Sequence, residues 1–483
     1  MNHQNKWNYS NNLIRHSGII VPNDYPGIDL IKQNLTKNVQ NWDDSFSELK
    51  FYEKYNEDSI VIPRFYNMSN ANIEDTVNDG DDIDIEMNSK YSPKEGQVES
   101  INKLLEIDNG VLQMETGRGK TFCAIYTIAK IKKRSIIFVH KDSLIKNWQE
   151  EILEYTNLDK KQIGRLNSKN FKKCFKKSII LCTPHVISYA VKNNKIEFLN
   201  ELKESNIGIM FIDESHSGVG PEAFSRASLF TPAKKVFGLS ATPYRTDGLN
   251  DIIKHHLGDI FYYPPKDGEL LKPKINIIKW DHGIYSNSKR FINFNGRFSM
   301  DKYCSQMKKS DNFNKVVIPL LKKLYNDKRI ILILGSYINP MIELAKKLNL
   351  PKSEIGIFMP TAKKDKIKTV SDEFNGINAF KTKPIVFSTY GAARDGNNRK
   401  DLDALVMLNT NKNVIQAVGR ILRTNHNKNQ PKVFDFVDID SSLPLIWNSD
   451  RSEKIPKFEK HMYDRIKIYE EKEWEYKFIY PKV

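Results

Sequence analysis

The stretch that decides the fold lies at residues 111–131, which read VLQMETGRGKTFCAIYTIAKI. Its apolar start predicts a strand, its two glycines a loop, and its remainder a helix. This order suits a phosphate cradle, because glycines let backbone N–H groups wrap phosphate oxygens at the start of a helix. Lys120 would reach the β- and γ-phosphates, and the Thr121 hydroxyl would bind Mg²⁺. A Gly-Lys-Thr triplet also arises by chance, so this motif needs support from the rest of the chain.

The same alternation of strands and helices continues on both sides of this stretch. Short β-branched runs separated by amphipathic segments fall into two groups, at 111–240 and 330–437. Continuous apolar strands between helices are typical of parallel sheets covered on both faces, so we predict an α/β fold with two tandem parallel-sheet domains. The predicted parts are an N-terminal accessory α+β module ending in an acidic linker (1–90), an ATP-binding domain (91–260), a connecting segment (261–310), a second parallel-sheet domain (311–440) and a C-terminal helical tail (441–483).

Two adjacent carboxylates form the second chemical signal. Asp213 and Glu214 directly follow an apolar strand at 208–212. Two carboxylates placed together are costly without a cation. We predict that Asp213 holds Mg²⁺ and that Glu214 orients and deprotonates an attacking water. A strand that ends in a solvated acidic turn is the alternative interpretation.

Two further blocks add hydroxyl groups and arginines. Ser240 and Thr242 follow a short strand and are suited to hydrogen-bond the acidic pair, although alone they mark only a turn. Arg420 and Arg423 are three residues apart, so on a helix they share a face that matches phosphate oxygens. A basic surface helix is the alternative. Because Arg420 lies 300 residues beyond Lys120, the predicted site is shared between two domains.

The charge balance favours a polyanionic partner. The 483 residues include 75 Lys/Arg and 59 Asp/Glu, a net charge of +16. Residues 1–90 are net −7, so the remainder carries +23. A lysine-rich surface produced by compositional bias is the alternative. The 4 cysteines form no CxxC pair, the N-terminus has no secretory apolar core, and no apolar run approaches ~20 residues. These features argue against a structural zinc site and against secreted and membrane-spanning proteins.

Taken in order, the blocks resemble those of the superfamily two helicases and translocases over about 91–440. The resemblance implies two RecA-like domains with ATP bound between them. It assigns adenine recognition to Gln97, a catalytic role to Gln416 beside the two arginines, and the coupling of nucleotide state to strand movement to His216, Ser240 and Thr242. The remaining implied nucleotide contacts are Thr116, Gly117, Arg118, Gly119, Asp395 and Gly396.

The same resemblance implies a nucleic-acid surface. Members of the superfamily grip the backbone of one strand across both domains, largely without reading its sequence. The matching positions are Lys141, Thr183, Arg245, Ser336 and Thr389. Two basic clusters, at 160–177 and 289–309, are further candidates, and the second is interleaved with aromatic residues. Solvated faces are the alternative interpretation of both clusters.

Finer detail resembles a narrower group. Residues 139–148, 238–248 and 416–423 are similar to the DNA helicases of poxviruses, other large DNA viruses and cytoplasmic linear plasmids. More distantly, they resemble the promoter-opening transcription-factor helicase and the phage recombination helicase. Two positions depart from the pattern. Met114 stands where a small residue is usual, and Asn398 replaces a carboxylate, which puts the efficiency of coupling in question.

The resemblance implies an ATP-dependent DNA helicase or translocase that uses Mg²⁺. It would act in viral or plasmid transcription, as in transcript release, or in replication and recombination. RNA polymerase or replication proteins are the expected partners, the cytoplasm is the expected location, and no membrane association is expected. An RNA helicase, the motor subunit of a restriction enzyme and a non-catalytic nucleic-acid-binding subunit of a transcription complex are the alternatives. The intact Lys120, Asp213, Glu214 and Arg420 argue against the last, and Asn398 is its best support.

Overall fold

The chain forms two compact units, Met1–Asp267 and Gly268–Val483, called here the first and second unit. The computed structural model describes residues 12–40, 46–68, 71–115, 117–214, 221–241, 249–262, 272–281, 291, 298–307, 310–358, 380, 382–394, 399, 401–409, 414–422, 429–439, 443, 445–447 and 453–481. Among the helices in these ranges, none is long and apolar enough to cross a bilayer.

The first unit begins with a small module of short strands and one helix. Its elements are β1 (Asn12–Arg15), β2 (Ile19–Pro22), α1 (Ile28–Asn34), β3 (Thr36–Gln40), β4 (Phe46–Lys50), β5 (Glu53–Lys54), β6 (Ser59–Ile62) and β7 (Asn72–Asp75). Strands β5, β6, β2, β1 and β7 form one mixed sheet in that order, and β3 pairs with β4. Every residue of β6 is buried, so this apolar strand lies at the centre of the module's core.

A parallel sheet with helices on both faces forms the rest of the first unit. Its elements are α2 (Glu95–Glu106), β8 (Asn109–Gln113), α3 (Lys120–Ile131), β9 (Ser135–Phe138), α4 (Asp142–Tyr155), β10 (Ile163–Arg165), α5 (Phe171–Cys174), β11 (Ile179–Cys182), α6 (Pro184–Lys192), α7 (Ile196–Lys203), β12 (Ile209–Asp213), α8 (Pro221–Phe230), β13 (Lys235–Ser240), α9 (Asn250–Leu257) and β14 (Ile260–Tyr262). The strand order is β10-β11-β9-β12-β13-β8-β14, with every neighbouring pair parallel.

Side-chain alternation along the strands explains the layering of this sheet. Ile137 and Phe211 belong to the core under α2, α3 and α4, whereas Ile136 and Met210 belong to the core under α6, α7 and α8. Because successive strand residues point to opposite faces, an unbroken apolar strand supplies both cores at once. This is the architecture that the continuous apolar runs predict.

The second unit repeats the plan with its own parallel sheet. Its elements are β15 (Lys274–Trp280), α10 (Met300–Met307), α11 (Asp311–Asn326), β16 (Ile331–Gly335), α12 (Ile338–Lys347), β17 (Ile355–Phe358), β18 (Ile385–Thr389), α13 (Tyr390–Arg394), β19 (Ala404–Met407), α14 (Val414–Gly419), β20 (Lys432–Asp438), β21 (Leu445–Trp447), β22 (Lys454–Pro456), α15 (Lys457–Glu471) and β23 (Tyr476–Ile479). The order β17-β18-β16-β19-β20-β15-β23 is parallel throughout, and β21 pairs with β22. The predicted α/β fold with two parallel sheets is confirmed.

Three segments differ from their sequence-based expectation. The segment 261–310, expected to be a connection, contains β15, which pairs with β20 and β23 inside the second sheet. The tail after 440, expected to be one helix, holds a hairpin, α15 and the edge strand β23. In the acidic segment before residue 90, Ile83 and Ile85 join the core of the first sheet. The other predicted boundaries stay predictions.

Candidate active site

The register of three neighbouring strands brings the predicted catalytic segments to one edge of the first sheet. Gln113, the last residue of β8, is paired with Ser240 of β13, and Leu239 is paired with Asp213 of β12. In a parallel sheet all strands end at the same edge, so the phosphate-loop segment, Ser240 and the acidic pair start from adjacent positions. Ligands bind at this carboxyl edge in open α/β sheets.

The segment 114–119 turns back into α3 through two glycines. Gly117 and Gly119 have φ angles of 85° and 93°, a left-handed conformation that favours glycine, and α3 begins at Lys120. Lys120 Nζ donates to the carbonyl oxygens of Met114 at 3.0 Å and Glu115 at 3.5 Å. Its side chain is only 9% exposed, so the cation is held inside the loop at the helix N-terminus, where anions are favoured.

The departure at Met114 has a structural explanation. Met114 is 2% exposed and belongs to the apolar core beside α3. Its backbone N–H donates to Ser240 O at 2.9 Å, which extends the pairing of β8 with β13 by one residue. Residue 114 therefore ends the strand and fills the core. A large apolar side chain is compatible with the loop that follows.

Asp213 is half-buried, and its carboxyl is influenced by Trp148 and Lys120. Trp148 Nε1 donates to Asp213 Oδ2 at 3.0 Å. Burial raises the pKa of the Asp213 carboxyl, while the Trp148 hydrogen bond and the positive charge of Lys120 oppose that shift. Glu214 follows with φ of 51°, an uncommon conformation for a residue with a side chain. The chain thus turns sharply at the two predicted catalytic carboxylates. Strained backbone conformations of this kind cluster at functional sites.

Gln97 supports the loop from α2. Its Nε2 donates to Arg118 O at 2.8 Å, and its Oε1 accepts from the backbone N–H of Lys94 at 3.0 Å. A Cβ at Gly119 would lie 2.4 Å from Gln97 Nε2, so a larger residue would displace the end of this side chain and disturb its hydrogen bond to Arg118 O. The adenine contact expected of Gln97 stays a prediction. The structure adds that Gln97 supports the phosphate loop through its hydrogen bond to Arg118 O.

These residues fit ATP and Mg²⁺. Thr121 lies in the first turn of α3, and Asp213 ends the strand two places away from β8 in the sheet. Mg²⁺ in phosphate-transfer sites takes one or two protein oxygens and completes its shell with water and phosphate. Within the described ranges no group of three or more His, Cys, Asp or Glu could hold a metal.

Two of the three nucleic-acid contacts predicted in the first unit, Lys141 and Thr183, also lie at the carboxyl edge. Lys141 follows β9 and is the N-cap of α4, and Thr183 follows β11 and is the N-cap of α6. Strands β9 and β11 are neighbours, with Phe138 paired to Cys182. The two residues therefore lie at the same edge of the sheet as Asp213, and the helices that they start pack on opposite faces.

In the second unit, Ser336 directly follows β16 and Thr389 ends the neighbouring strand β18. Ser336 Oγ donates to Asn409 Oδ1 at 3.2 Å, and Tyr390 OH donates to Asn409 O at 2.6 Å. Asn409, just beyond β19, thus ties together the segments of both predicted nucleic-acid contacts. Arg420 is buried immediately after α14.

Several predicted residues lie outside the described part of the chain. They are Thr116, His216, Thr242, Arg245, Asp395, Gly396 and Arg423, together with the departure at Asn398 and the side chain of Gln416. Two residues with clear contacts at the predicted segments, Trp148 and Asn409, were missed. The only sequence signal for Trp148 is its place in the 139–148 block, and Asn409 carries none.

A comparison with protein families matches residues 90–245 to the family described as "Type III restriction enzyme, res subunit". The matched range contains the phosphate loop, Asp213, Glu214 and Ser240.

Comparisons with curated proteins find helicases of large DNA viruses. The chain is 27% identical over 378 residues to "Putative ATP-dependent RNA helicase L396" of Acanthamoeba polyphaga mimivirus, covering 76% of this chain and 67% of that protein. It is 26% identical over 382 residues to "Putative helicase 161L" of Invertebrate iridescent virus 6, covering 77% and 78%. A shorter match, 26% over 176 residues, is to the general transcription and DNA repair factor IIH helicase/translocase subunit XPB of Enterocytozoon bieneusi, covering 34% and 29%.

Among solved structures, S. cerevisiae Dbp5 bound to RNA and ADP BeF3 matches with a TM-score of 0.52 and 14% identity, covering 80% of this chain and 90% of that one. At this identity the likeness concerns the fold, and it agrees with the two parallel-sheet units. The predicted resemblance to superfamily two, including its viral and promoter-opening members, is confirmed.

Proposed function

We propose that this chain, which resembles the superfamily two helicases and translocases, couples ATP hydrolysis to movement on DNA or to separation of its strands. The observation that carries the proposal is the arrangement at the first sheet's carboxyl edge. There Lys120 is held in the glycine loop 3.0 Å from Met114 O, and its charge acts on the half-buried Asp213. A cation and a carboxylate next to a helix N-terminus form a site for a nucleoside triphosphate.

Each residue has a distinct task in the proposed reaction. Lys120 and the N–H groups at the start of α3 bind the β- and γ-phosphates and stabilise charge that develops on them. Bound Mg²⁺ supplies further charge neutralisation, and Thr121 and Asp213 would hold it. Glu214 orients the attacking water and accepts its proton. The resemblance assigns to Arg420 and Arg423 the task of stabilising the transferring phosphoryl group, as arginine fingers do.

Within each unit, the proposed nucleic-acid contacts lie at the carboxyl edge of the sheet. Lys141 and Thr183 on the first unit, and Ser336 and Thr389 on the second, offer a cation, hydroxyls and helix N-terminal N–H groups to a phosphate backbone. Such contacts carry no base recognition. Movement without strong sequence preference is therefore expected. His216, Ser240 and Thr242 are proposed to couple the nucleotide state to the affinity for nucleic acid.

ATPase assays on the purified full chain test this function. We expect slow basal hydrolysis that duplex or single-stranded DNA stimulates severalfold, together with strand displacement on a tailed duplex. Lys120→Ala should lower hydrolysis by roughly a hundredfold or more, because a charge aimed at the transition state is lost. Lys130→Ala is the matched control, since Lys130 is an exposed lysine near the other end of α3. A wild-type ATPase rate that no nucleic acid stimulates would contradict the proposal.

An RNA helicase is the second candidate, because the mimiviral relative is described as an ATP-dependent RNA helicase. The XPB relative is described as a helicase/translocase of a transcription and DNA repair factor, which supports DNA and a role in transcription. Comparing duplex DNA, single-stranded DNA and RNA at equal nucleotide concentration separates the two candidates. We further propose action in viral or plasmid transcription or replication, with RNA polymerase or replication proteins as partners and the cytoplasm as location.

A further inference from the structure

Helix α4 connects the two functional segments of the first unit. It begins after Lys141, the predicted backbone contact, and its buried side includes Leu144, Ile145, Trp148 and Ile152. Trp148 lies seven residues after Lys141, which is two helical turns or about 10 Å along the axis. Because this apolar stripe is packed into the core beside α3, the helix is expected to move as one body.

Trp148 contacts the catalytic edge through one specific atom. Its side chain is 3% exposed, and its Nε1–H donates to Asp213 Oδ2 at 3.0 Å. Strands β9 and β12 are neighbours, with Phe138 paired to Ile212, so the chain segments that lead to Lys141 and to Asp213 leave the sheet side by side. A buried indole N–H needs an acceptor, and a carboxylate is a strong one. The bond therefore fixes the orientation of the carboxylate that faces the phosphate loop.

We propose that Trp148 is a positioning residue for the Asp213 carboxylate, and that α4 links this contact to nucleic-acid binding at Lys141. The inference rests on the proposed function. Partners that hydrogen-bond a metal-binding carboxylate set its orientation and hence its affinity for the ion. A phosphate that draws the start of α4 would shift Trp148 and, through Nε1, the Asp213 oxygens. The affinity of the protein for the nucleic-acid strand and its affinity for Mg²⁺ would then change together.

The first test measures Mg²⁺ dependence by binding, without turnover. Fluorescent nucleotide is titrated onto the full chain at increasing Mg²⁺, for wild type and Trp148→Phe. The variant keeps an aromatic ring and loses the N–H, so we expect the Mg²⁺ midpoint to rise about tenfold while Mg²⁺-free nucleotide binding is unchanged. Trp280→Phe, at a buried tryptophan of the second unit, is the matched control and should keep the wild-type midpoint. An unchanged midpoint in Trp148→Phe would overturn the proposal.

The second test concerns the link through α4. Saturating single-stranded DNA should lower the Mg²⁺ midpoint of wild type, and this change should be lost in both Trp148→Phe and Lys141→Ala. If the Phe variant does not fold, benzothienylalanine at position 148 keeps the ring volume and removes only the N–H. Should the wild type hydrolyse ATP without any stimulation by nucleic acid, the proposed function fails. The Mg²⁺ midpoints would still decide whether Trp148 positions Asp213.

Discussion

Gly119 shows how one residue can combine a conformational and a contact requirement. Its φ is 93°, and an added Cβ would meet Gln97 Nε2 at 2.4 Å. Gly119→Ala should therefore destabilise the first unit by about 1–2 kcal/mol and weaken ATP binding, because the strained loop no longer presents its N–H groups correctly. Thermal unfolding and nucleotide titration measure the two effects.

Gly27 provides the control for this prediction. It has a similar φ of 85°, but an added Cβ would meet nothing within 4 Å. Gly27→Ala thus isolates the conformational cost in the N-terminal module, away from the phosphate loop. We expect a smaller loss of stability and normal ATP affinity. Equal losses of stability in the two variants, with ATP binding intact in both, would show that the Gln97 contact is unimportant.

The places of Lys120 at the start of a helix and of Asp213 and Ser240 at the ends of strands were predictable, because the apolar strands before them are recognisable. Their roles stay predictions. Trp148 and Asn409 were not predictable, since their partners lie far away in sequence. The Trp148–Asp213 bond spans 65 residues and the Ser336–Asn409 bond spans 73. Such bonds depend on which helix packs over which strand end, and no local pattern encodes that choice.

At the scale of elements, α8 and α9 meet through a buried histidine. His256 Nε2 is 3.0 Å from Ser225 Oγ, and the His256 ring packs edge-on against Phe224. Burial lowers the pKa of His256 to about 3, and the positive charges of His255 and Arg64 act in the same direction. The helix contact therefore requires the neutral imidazole.

This contact predicts a loss of stability in acid. In the unfolded chain His256 takes up a proton near pH 6.5, whereas in the folded chain it stays neutral until about pH 3. Its contribution is thus fully present above pH 6.5 and is lost as the pH falls below that value, by about 1.4 kcal/mol at pH 5.5. His256→Gln should flatten the fall in melting temperature between pH 7.5 and 5.5. His185→Gln, at an exposed histidine of α6, should leave it unchanged. Identical pH slopes for wild type and His256→Gln would refute the prediction.

Elements with long apolar runs were predictable, and those at sheet edges were not. β9, β11 and β16 read as unbroken buried strands. By contrast, β23 is a four-residue strand with half-buried ends and two exposed residues between them, a pattern that does not distinguish it from a loop. Its assignment depends on β15, which offers a free edge only once the second sheet has formed.

At the scale of the whole molecule, the positive charges of the first unit lie at both edges of its sheet. Only those at the carboxyl edge lie where the nucleic acid is proposed to bind. Lys141 lies at the carboxyl edge of the first sheet with the catalytic residues. Lys160 and Lys161 precede β10, and Lys176 precedes β11, so these exposed lysines lie at the opposite, amino edge. A strand bound along the carboxyl edges would therefore release counterions from Lys141 and not from these three.

The salt dependence of DNA binding tests whether the lysines at the carboxyl edge, and not those at the amino edge, contact the DNA. A plot of log affinity against log salt should fall steeply for wild type, and Lys141→Gln should reduce the slope for single-stranded DNA by about 0.7, the value for one phosphate contact. The triple variant Lys160→Gln, Lys161→Gln, Lys176→Gln removes three charges from a net of +16, yet should keep the wild-type slope because none of them lies on the proposed path. A triple variant with a slope reduced by two or more would place the strand at the amino edge and contradict the path through Lys141 and Thr183.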